Sequence, residues 1–244
     1  MGVVDLSTDI EMSLEFSETV AAQHRRLDPD DWEGVYVVGD VHGCPTALDR
    51  LLDELAVTEE DLVVFVGDLV RKGPDSAGVV ERVREAPNMV TVRGNNEEKL
   101  LRGEKELPDL SADDRAWIRS RPVAISFGDA LVVHGGVDPR KPLAEHDVDD
   151  LQNTRSLAPG GSYDRPYWFE EWEGPERVFF GHTVLEDPIV REYAVGLDTG
   201  CVYGGELTAY DWRDDDLVSV SLDRTVKDRP DRKFVTPDPV ARHV

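Results

Sequence analysis

The chain has 244 residues, 51 acidic and 27 basic side chains, and a net charge of −24. This length suits one large domain or two small ones, and it can bury a full core without disulfide or metal staples. The charge excludes a broad face for duplex nucleic acid or for an anionic membrane, because both would meet a negative field.

Only 6 of the basic residues are lysine and 21 are arginine. Acids crowd into runs such as Asp28, Asp30, Asp31 and Asp214, Asp215, Asp216. Soluble proteins from very salty cytoplasm have this composition, because high salt screens the self-repulsion. On this halophilic reading the acidity describes the solvent and not the substrate. No apolar run approaches the ~20 residues that span a bilayer. Asp5, Asp9, Glu11, Glu15 and Glu18 stand where a signal peptide needs positive charge. Cys44 and Cys201 could form at most one bridge, so a reduced, cytoplasmic chain is expected.

In chain order, residues 1–31 read as a helical extension, with Leu14, Phe16, Val20 and Ala21 on one face. Val35–Val38 is a predicted strand. Pro45–Ala56 is a predicted helix with proline in its first turn and Leu48, Leu51, Leu52 and Leu55 on one face. Strands at Leu62–Val66 and Met89–Val92 alternate with helices at Pro74–Ala86 and Asn95–Arg102. That alternation implies parallel strands joined by crossover helices. A helical insert follows at Ala112–Arg119. The second half is richer in strands: Val123–Phe127, Ala130–Val133, Val178–Phe180, Ile189–Tyr193, Ala194–Leu197, Leu207–Trp212 and Leu217–Leu222. Asp129 and Asp198 sit at expected turns. Pro139–Glu176 reads as irregular. The expected organisation is one domain over residues 1–226 and an extended or mobile tail over 227–244.

Five strand ends carry chemistry. Three run into glycine and then an acid or amide: Gly39-Asp40-Val41-His42-Gly43, Gly67-Asp68 and Gly94-Asn95. Two carry histidine, in His134-Gly135-Gly136 and Gly181-His182-Thr183. Ligand sites in open α/β sheets lie at the carboxyl ends of strands, so these ends can converge. A single Gly-Asp after a strand is ordinarily a turn; five such ends in one chain are not. Two carboxylates, one amide and three imidazoles exceed one zinc site but suit two adjacent divalent ions. Paired ions are the recurring device for in-line attack on phosphorus by an acidified water.

GDVHG, GDLVRKGPDS, RGNNE, HGG and GHT, in this order over Val35–Tyr210, resemble the phosphoprotein phosphatase branch of the calcineurin-like metallophosphoesterases. The run LDTGCVYGG resembles the same branch, near bacterial diadenosine tetraphosphatases and the phage lambda phosphatase. The resemblance implies an α/β (α+β) fold: two mixed β-sheets packed as a sandwich and flanked by helices. It implies that Asp40 and His42 bind one ion, that Asp68 bridges two, and that Asn95, His134 and His182 complete the second. Manganese is the first expectation for the two divalent ions, with iron or zinc as the others. The substrate is expected to be a phosphorylated protein or a nucleotide polyphosphate.

The family pattern is broken in two motifs. Where it usually reads GDxVDRG, this chain has Gly67-Asp68-Leu69-Val70-Arg71-Lys72-Gly73. Where it reads GNHE, the chain has Gly94-Asn95-Asn96-Glu97. The resemblance thus implies loss of a leaving-group acid, the histidine replaced by Asn96, and of its orienting carboxylate, replaced by Arg71. The catalytic set to test is Asp68, Lys72, Arg71 and Asn96. Lys72 keeps the charge of the family's phosphate-binding arginine without its bidentate fork. Arg71 either supplies the missing donors or is a solvated surface charge. The substrate-binding candidates are Arg71, Lys72, Arg155 and Tyr203. Arg93 reads as a structural ion pair, Trp168 and Trp172 as a hydrophobic cap, and Cys44 as a packing residue. His146 is held in reserve as a substitute proton donor. The rival reading is a non-catalytic metal- and phosphate-binding protein that has lost its acid.

Overall fold

The computed structural model describes residues 14–160 and 163–236. The elements in chain order are α1 (Glu18–Ala21), β1 (His24–Arg26), β2 (Val35–Val38), α2 (Pro45–Glu54), β3 (Leu62–Phe65), α3 (Ser76–Glu85), β4 (Met89–Thr91), α4 (Asn95–Leu101) and α5 (Ala112–Arg119). There follow β5 (Ala124–Phe127), β6 (Ala130–Val133), α6 (Val148–Asn153), α7 (Trp168–Glu171), β7 (Arg177–Phe180), β8 (Ile189–Val190), β9 (Ala194–Gly196), β10 (Glu206–Asp211) and β11 (Asp216–Ser221).

One sheet has the order β11-β10-β2-β3-β4 and the other β1-β5-β6-β7-β9-β8. Strands β2, β3 and β4 are parallel, as the alternation predicts, and β10 adds antiparallel to β2. In the second sheet β6, β7 and β9 are parallel while β5 and β8 pair antiparallel. Both sheets are therefore mixed.

Period-two burial explains the sandwich. Val35, Val37, Val64 and Val66 face Ile125, Val132, Phe179 and Val195 in a core between the sheets. Their neighbours Val38, Val63 and Phe65 point the other way, against Leu48, Leu51, Val79 and Val80 of α2 and α3. On the far side, Leu131, Val133, Val178 and Phe180 pack against Trp168 and Phe169 of α7 and Leu151 of α6. Strands buried on both faces read as continuous apolar runs, which is why LVVF and ALVV carry no alternation.

Four expectations change. The N-terminal helix shrinks to the single turn of α1, capped by Ser17; residues 1–13 lie outside the described residues. His24–Arg26, taken with that helix, instead forms β1, parallel to β5. Three polar residues give no strand pattern, so only the partner strand reveals it. The irregular stretch 139–176 contains α6, started by a reciprocal Asp147–Asp150 cap, and α7. Finally, the segment from 227 is tied down as far as it is described. Val235 is buried, its N–H donates to Val184 O, and its carbonyl accepts from Glu186. Residues 237–244 lie outside the described residues. Among the described residues no helix is long and apolar enough to cross a membrane.

Candidate metal centre

The carboxyl ends of β2, β3, β4, β6 and β7 meet at one point. Asp40, His42 and Asp68 are buried, with donor atoms all within 4.8 Å of one another. His42 Nε2 lies 3.5 Å from Asp40 Oδ2 and 3.7 Å from Asp68 Oδ2. His134 Nε2 lies 3.3 Å from Asp68 Oδ1. The His134 and His182 rings are 5.2 Å apart, and Asn95 Nδ2 is 2.9 Å from His182 Nδ1. All six sequence-predicted ligand candidates are thus contiguous.

The local backbone brings them there at a cost. His42, Asp68 and His182 all adopt positive φ (49°, 53° and 62°), a region non-glycine residues rarely occupy and one that collects at functional sites. Gly181 is needed because a Cβ there would collide with Asp40 Oδ1, and Gly94 because a Cβ would collide with Asp68 Oδ1. The close approach of β7 to the β2 loop leaves the His182 N–H 3.3 Å from both Asp40 oxygens.

The donor set fits divalent ions. Main-chain carbonyls orient two rings: His134 Nδ1 lies 2.9 Å from Val66 O and His42 Nδ1 3.2 Å from Val70 O. That pattern turns each Nε2 toward the carboxylates, as outer contacts of metal-binding histidines do. His134 Nε2 and Asp198 Oδ2 are buried without a hydrogen-bond partner, which an ion would satisfy. Burial, then the charge of Lys72, holds His42 well below the ordinary histidine range. Burial, then Arg155, does the same for His182. Neutral imidazole is the ligating form. Burial, with the charges of Asp198 and Asp68 beside it, pushes Asp40 well above the usual carboxylate range. Burial acts on Asp68 in the same direction but is outweighed by His134, His42 and Lys72, so Asp68 stays well below that range.

Lys72 and Asn96 reach into this cluster. Lys72 Nζ contacts His42 Nε2, and Asn96 Nδ2 donates to Asp68 Oδ2. Each occupies a lone pair that would face an ion, so these contacts and ion binding are alternatives. Arg71 Nη1 donates to Asn96 Oδ1. The two residues that replace the family's acid and its orienting carboxylate therefore touch, and Arg71 is not a solvated surface charge. Arg155 Nη2 donates to His182 O (3.1 Å), and the Tyr203 ring lies 6.5 Å from His42 and 5.4 Å from Lys72 Nζ.

Other candidates lie elsewhere. His146 is fully buried; its Nε2 accepts from Asp138 N–H (2.8 Å) and its Nδ1 lies 3.0 Å from Pro142 O. With both nitrogens engaged it is no substitute acid. Arg93 pairs with Glu98 and donates to the carbonyls of Arg119 and Arg121. Trp168 is core and donates to Gly135 O; Trp172 donates to Glu176 O. Cys44 is buried and unbridged, its Sγ 3.8 Å from His42 O.

Two residues were missed. Glu97 is 3 % exposed and accepts the N–H groups of Asp68, Val70 and Gly94 at 3.0, 3.1 and 2.9 Å. It locks the β3 loop to the start of α4; burial, then Asp68, raises its carboxyl to about 7. Its signal was the acid at the third position of a helix that opens on glycine. Asp198 is 2 % exposed, and burial raises its carboxyl too. As a single acid at a strand end it looked like a turn.

The calcineurin-like phosphoesterase family pattern matches residues 34–219, most of the chain and all six metal candidates. The chain belongs to the calcineurin-like phosphoesterases. A crystal structure provisionally assigned as a diadenosine tetraphosphatase superposes with TM-score 0.75 at 31 % identity, covering 81 % of this chain and 97 % of that one. The asymmetrical bis(5'-nucleosyl)-tetraphosphatase PrpE of Bacillus velezensis is 28 % identical over 75 % of this chain and 91 % of its own length. Serine/threonine-protein phosphatase 1 of Salmonella typhimurium is 29 % identical over 76 % and 94 %. This calcineurin-like phosphoesterase is a metal-dependent hydrolase with a buried Asp–His–Asp metal-binding group.

Proposed function

We propose that this phosphoesterase holds two divalent ions, manganese first, and cleaves phosphoric anhydrides of nucleotides in preference to phosphoserine. Asp40, His42, Asp68, Asn95, His134 and His182 would hold the ions, with Asp68 between them. Such ions supply Lewis acidity to the phosphoryl group and to the attacking water. The protein's own contributions are charge and position. Lys72 and Arg71 offer cationic donors to phosphoryl oxygens. Asp40 and Asp68 anchor the cluster, and Glu97 keeps Asp68 and α4 in register.

The observation that carries the substrate choice is the Arg71–Asn96 contact. An amide cannot give up a proton at neutral pH, and the guanidinium beside it cannot act as an acid. A leaving group that departs as a stable anion needs neither. The PrpE relatives support this reading by name, whereas the Salmonella relative is named for phosphoprotein substrates.

Initial rates on a dinucleoside tetraphosphate, an aryl phosphate and a phosphoserine peptide, with manganese saturating, test it. The first two are expected to exceed the third by at least ~10²-fold, the span a positioned acid contributes. Equal rates on all three would defeat the reading. Metal analysis of the purified protein is expected to find two ions per chain, and Asp68→Asn is expected to lose both binding and turnover. A stoichiometry of one would remove the bridge assigned to Asp68.

A further inference from the structure

Beyond the metal candidates, cations and aromatic rings alternate in an arc. Lys72 Nζ lies 5.4 Å from the Tyr203 ring, and Arg229 Cζ lies 4.7 Å from the same ring. Arg229 Cζ is 5.8 Å from the Tyr163 ring, and its Nη2 donates to the Tyr163 hydroxyl at 3.1 Å. Arg155 Cζ is 4.3 Å from the Tyr163 ring, and its Nη2 returns to His182 O. The arc thus begins at His42 and ends at His182, on two sides of one centre.

Some arginines of this chain meet carboxylates, as in Arg84–Asp114, Arg140–Asp138 and Arg177–Asp215; the cations of the arc do not. Among the described residues Lys72, Arg155 and Arg229 have no carboxylate within 4.0 Å, although the chain carries 51 acids. The acid that all three face is the buried Asp198 beside the metal candidates; three cations without a close ion pair next to a phosphoryl site are complementary to a further anion, that of a substrate. Arg155 Nε is moreover buried without a partner.

Arg229 is held in place by the segment that composition reads as a tail. Its Nε and Nη2 donate to Lys233 O at 3.3 and 3.1 Å, and its Cζ is 5.8 Å from the Phe234 ring. Phe234 lies 6.3 Å from the Tyr203 ring, and Val235 behind it is buried. Aromatic contacts and the Lys233 carbonyl fix the guanidinium, while Nη1 makes no hydrogen bond among the described residues.

We infer that Arg229 is a specificity residue that binds phosphate groups of the substrate other than the one being hydrolysed. Lys72 touches His42, a ligand candidate, whereas Arg229 is one ring further out. A monoester engages the former and stops short of the latter; a chain of phosphates engages both. The inference rests on the nucleotide-polyphosphate reading and adds the group that measures the length of the anion.

Arg229→Met, which keeps an unbranched stem against the rings, is the test, with Arg229→Lys beside it. Met is expected to lower kcat/KM on a dinucleoside tetraphosphate by about 10–100-fold, the worth of one charge-assisted contact, and to change an aryl phosphate by less than about 3-fold. Lys is expected to recover part of the loss. Inhibition of aryl phosphate hydrolysis by metal-saturated tripolyphosphate is expected to weaken by a similar factor in the Met variant. Equal losses on both substrates, at an unchanged urea midpoint, would mean a positioning role only and overturn the inference. An unchanged ratio and an unchanged inhibition constant would also overturn it. If the wild type cleaves the aryl phosphate but not the tetraphosphate, the nucleotide reading fails, and the tripolyphosphate constants alone decide Arg229.

Discussion

Asn96 sits between a guanidinium and a carboxylate, with its carbonyl toward Arg71 and its amine toward Asp68. A serine alkoxide has a conjugate acid about as weak as water, whereas a phosphate chain leaves with a terminal pKa of about 6. Only the first gains much from a proton donor. The double change Arg71→Asp with Asn96→His is therefore expected to raise kcat/KM on a phosphoserine peptide by about 10-fold or more, and to move the aryl phosphate rate less. Asn96→His alone is expected to do less, because the new imidazole would face Arg71, whose charge disfavours the protonated form. Comparable gains on both substrates would mean that Asn96 limits something other than leaving-group departure.

At the scale of elements, two of the segments that the sequence hid are the 227–236 segment and the edge strand β1. The 227–236 segment pins itself through Val235, which is 2 % exposed, and through main-chain pairs to Val184 and Glu186. Burying a valine is worth about 1.5–3 kcal/mol, so Val235→Ala is expected to cost about 1–2 kcal/mol in urea melts. Turnover of the tetraphosphate is expected to suffer more than that of the aryl phosphate, since Arg229 and Phe234 hang from this anchor. At the other edge, β1 carries His24, packed 4.9 Å from the Phe16 ring and bonded to Ser126. Burial, then the charge of Arg26, lowers its pKa from 6.5. The unfolded chain then takes up a proton first as pH falls, so His24 contributes stability above 6.5 that is lost below it. His24→Gln is expected to flatten the part of the pH 7 to pH 5 decline in urea midpoint that this group causes. An identical slope in the variant would show that β1 does not sense pH.

For the whole molecule the dominant number is the net charge of −24. Self-repulsion of that size weakens a compact state, and screening at molar salt reaches within about 3 Å. The melting temperature is expected to rise from dilute to multimolar KCl; a flat or falling curve would remove the halophilic reading. Within this field the metal centre and its arc of cations form a local region of mixed sign. Diffusion of a polyanion to it is opposed by the rest of the surface at low salt. Activity is thus expected to rise with salt more steeply for the tetraphosphate than for the aryl phosphate.

Much of this protein was already determined by its sequence. Apolar runs ending in glycine and then Asp40, Asp68, Asn95 or His182, or in His134 and then glycine, encode both strand and site, because a ligand at a strand's carboxyl end needs only local backbone freedom. The parallel order of β2, β3 and β4 followed from the helices between them. The tertiary structure alone decided what depends on distant partners. A three-residue strand such as β1 has no pattern of its own and exists only against β5. Glu97 and Asp198 became part of the centre because burial beside Asp68 and Asp40 changes what a carboxylate is. The tail became an anchor because Val235 found a buried position beside Val184. Arg71 and Asn96 stand 25 positions apart; the sequence marked both as departures, and only the fold put one against the other.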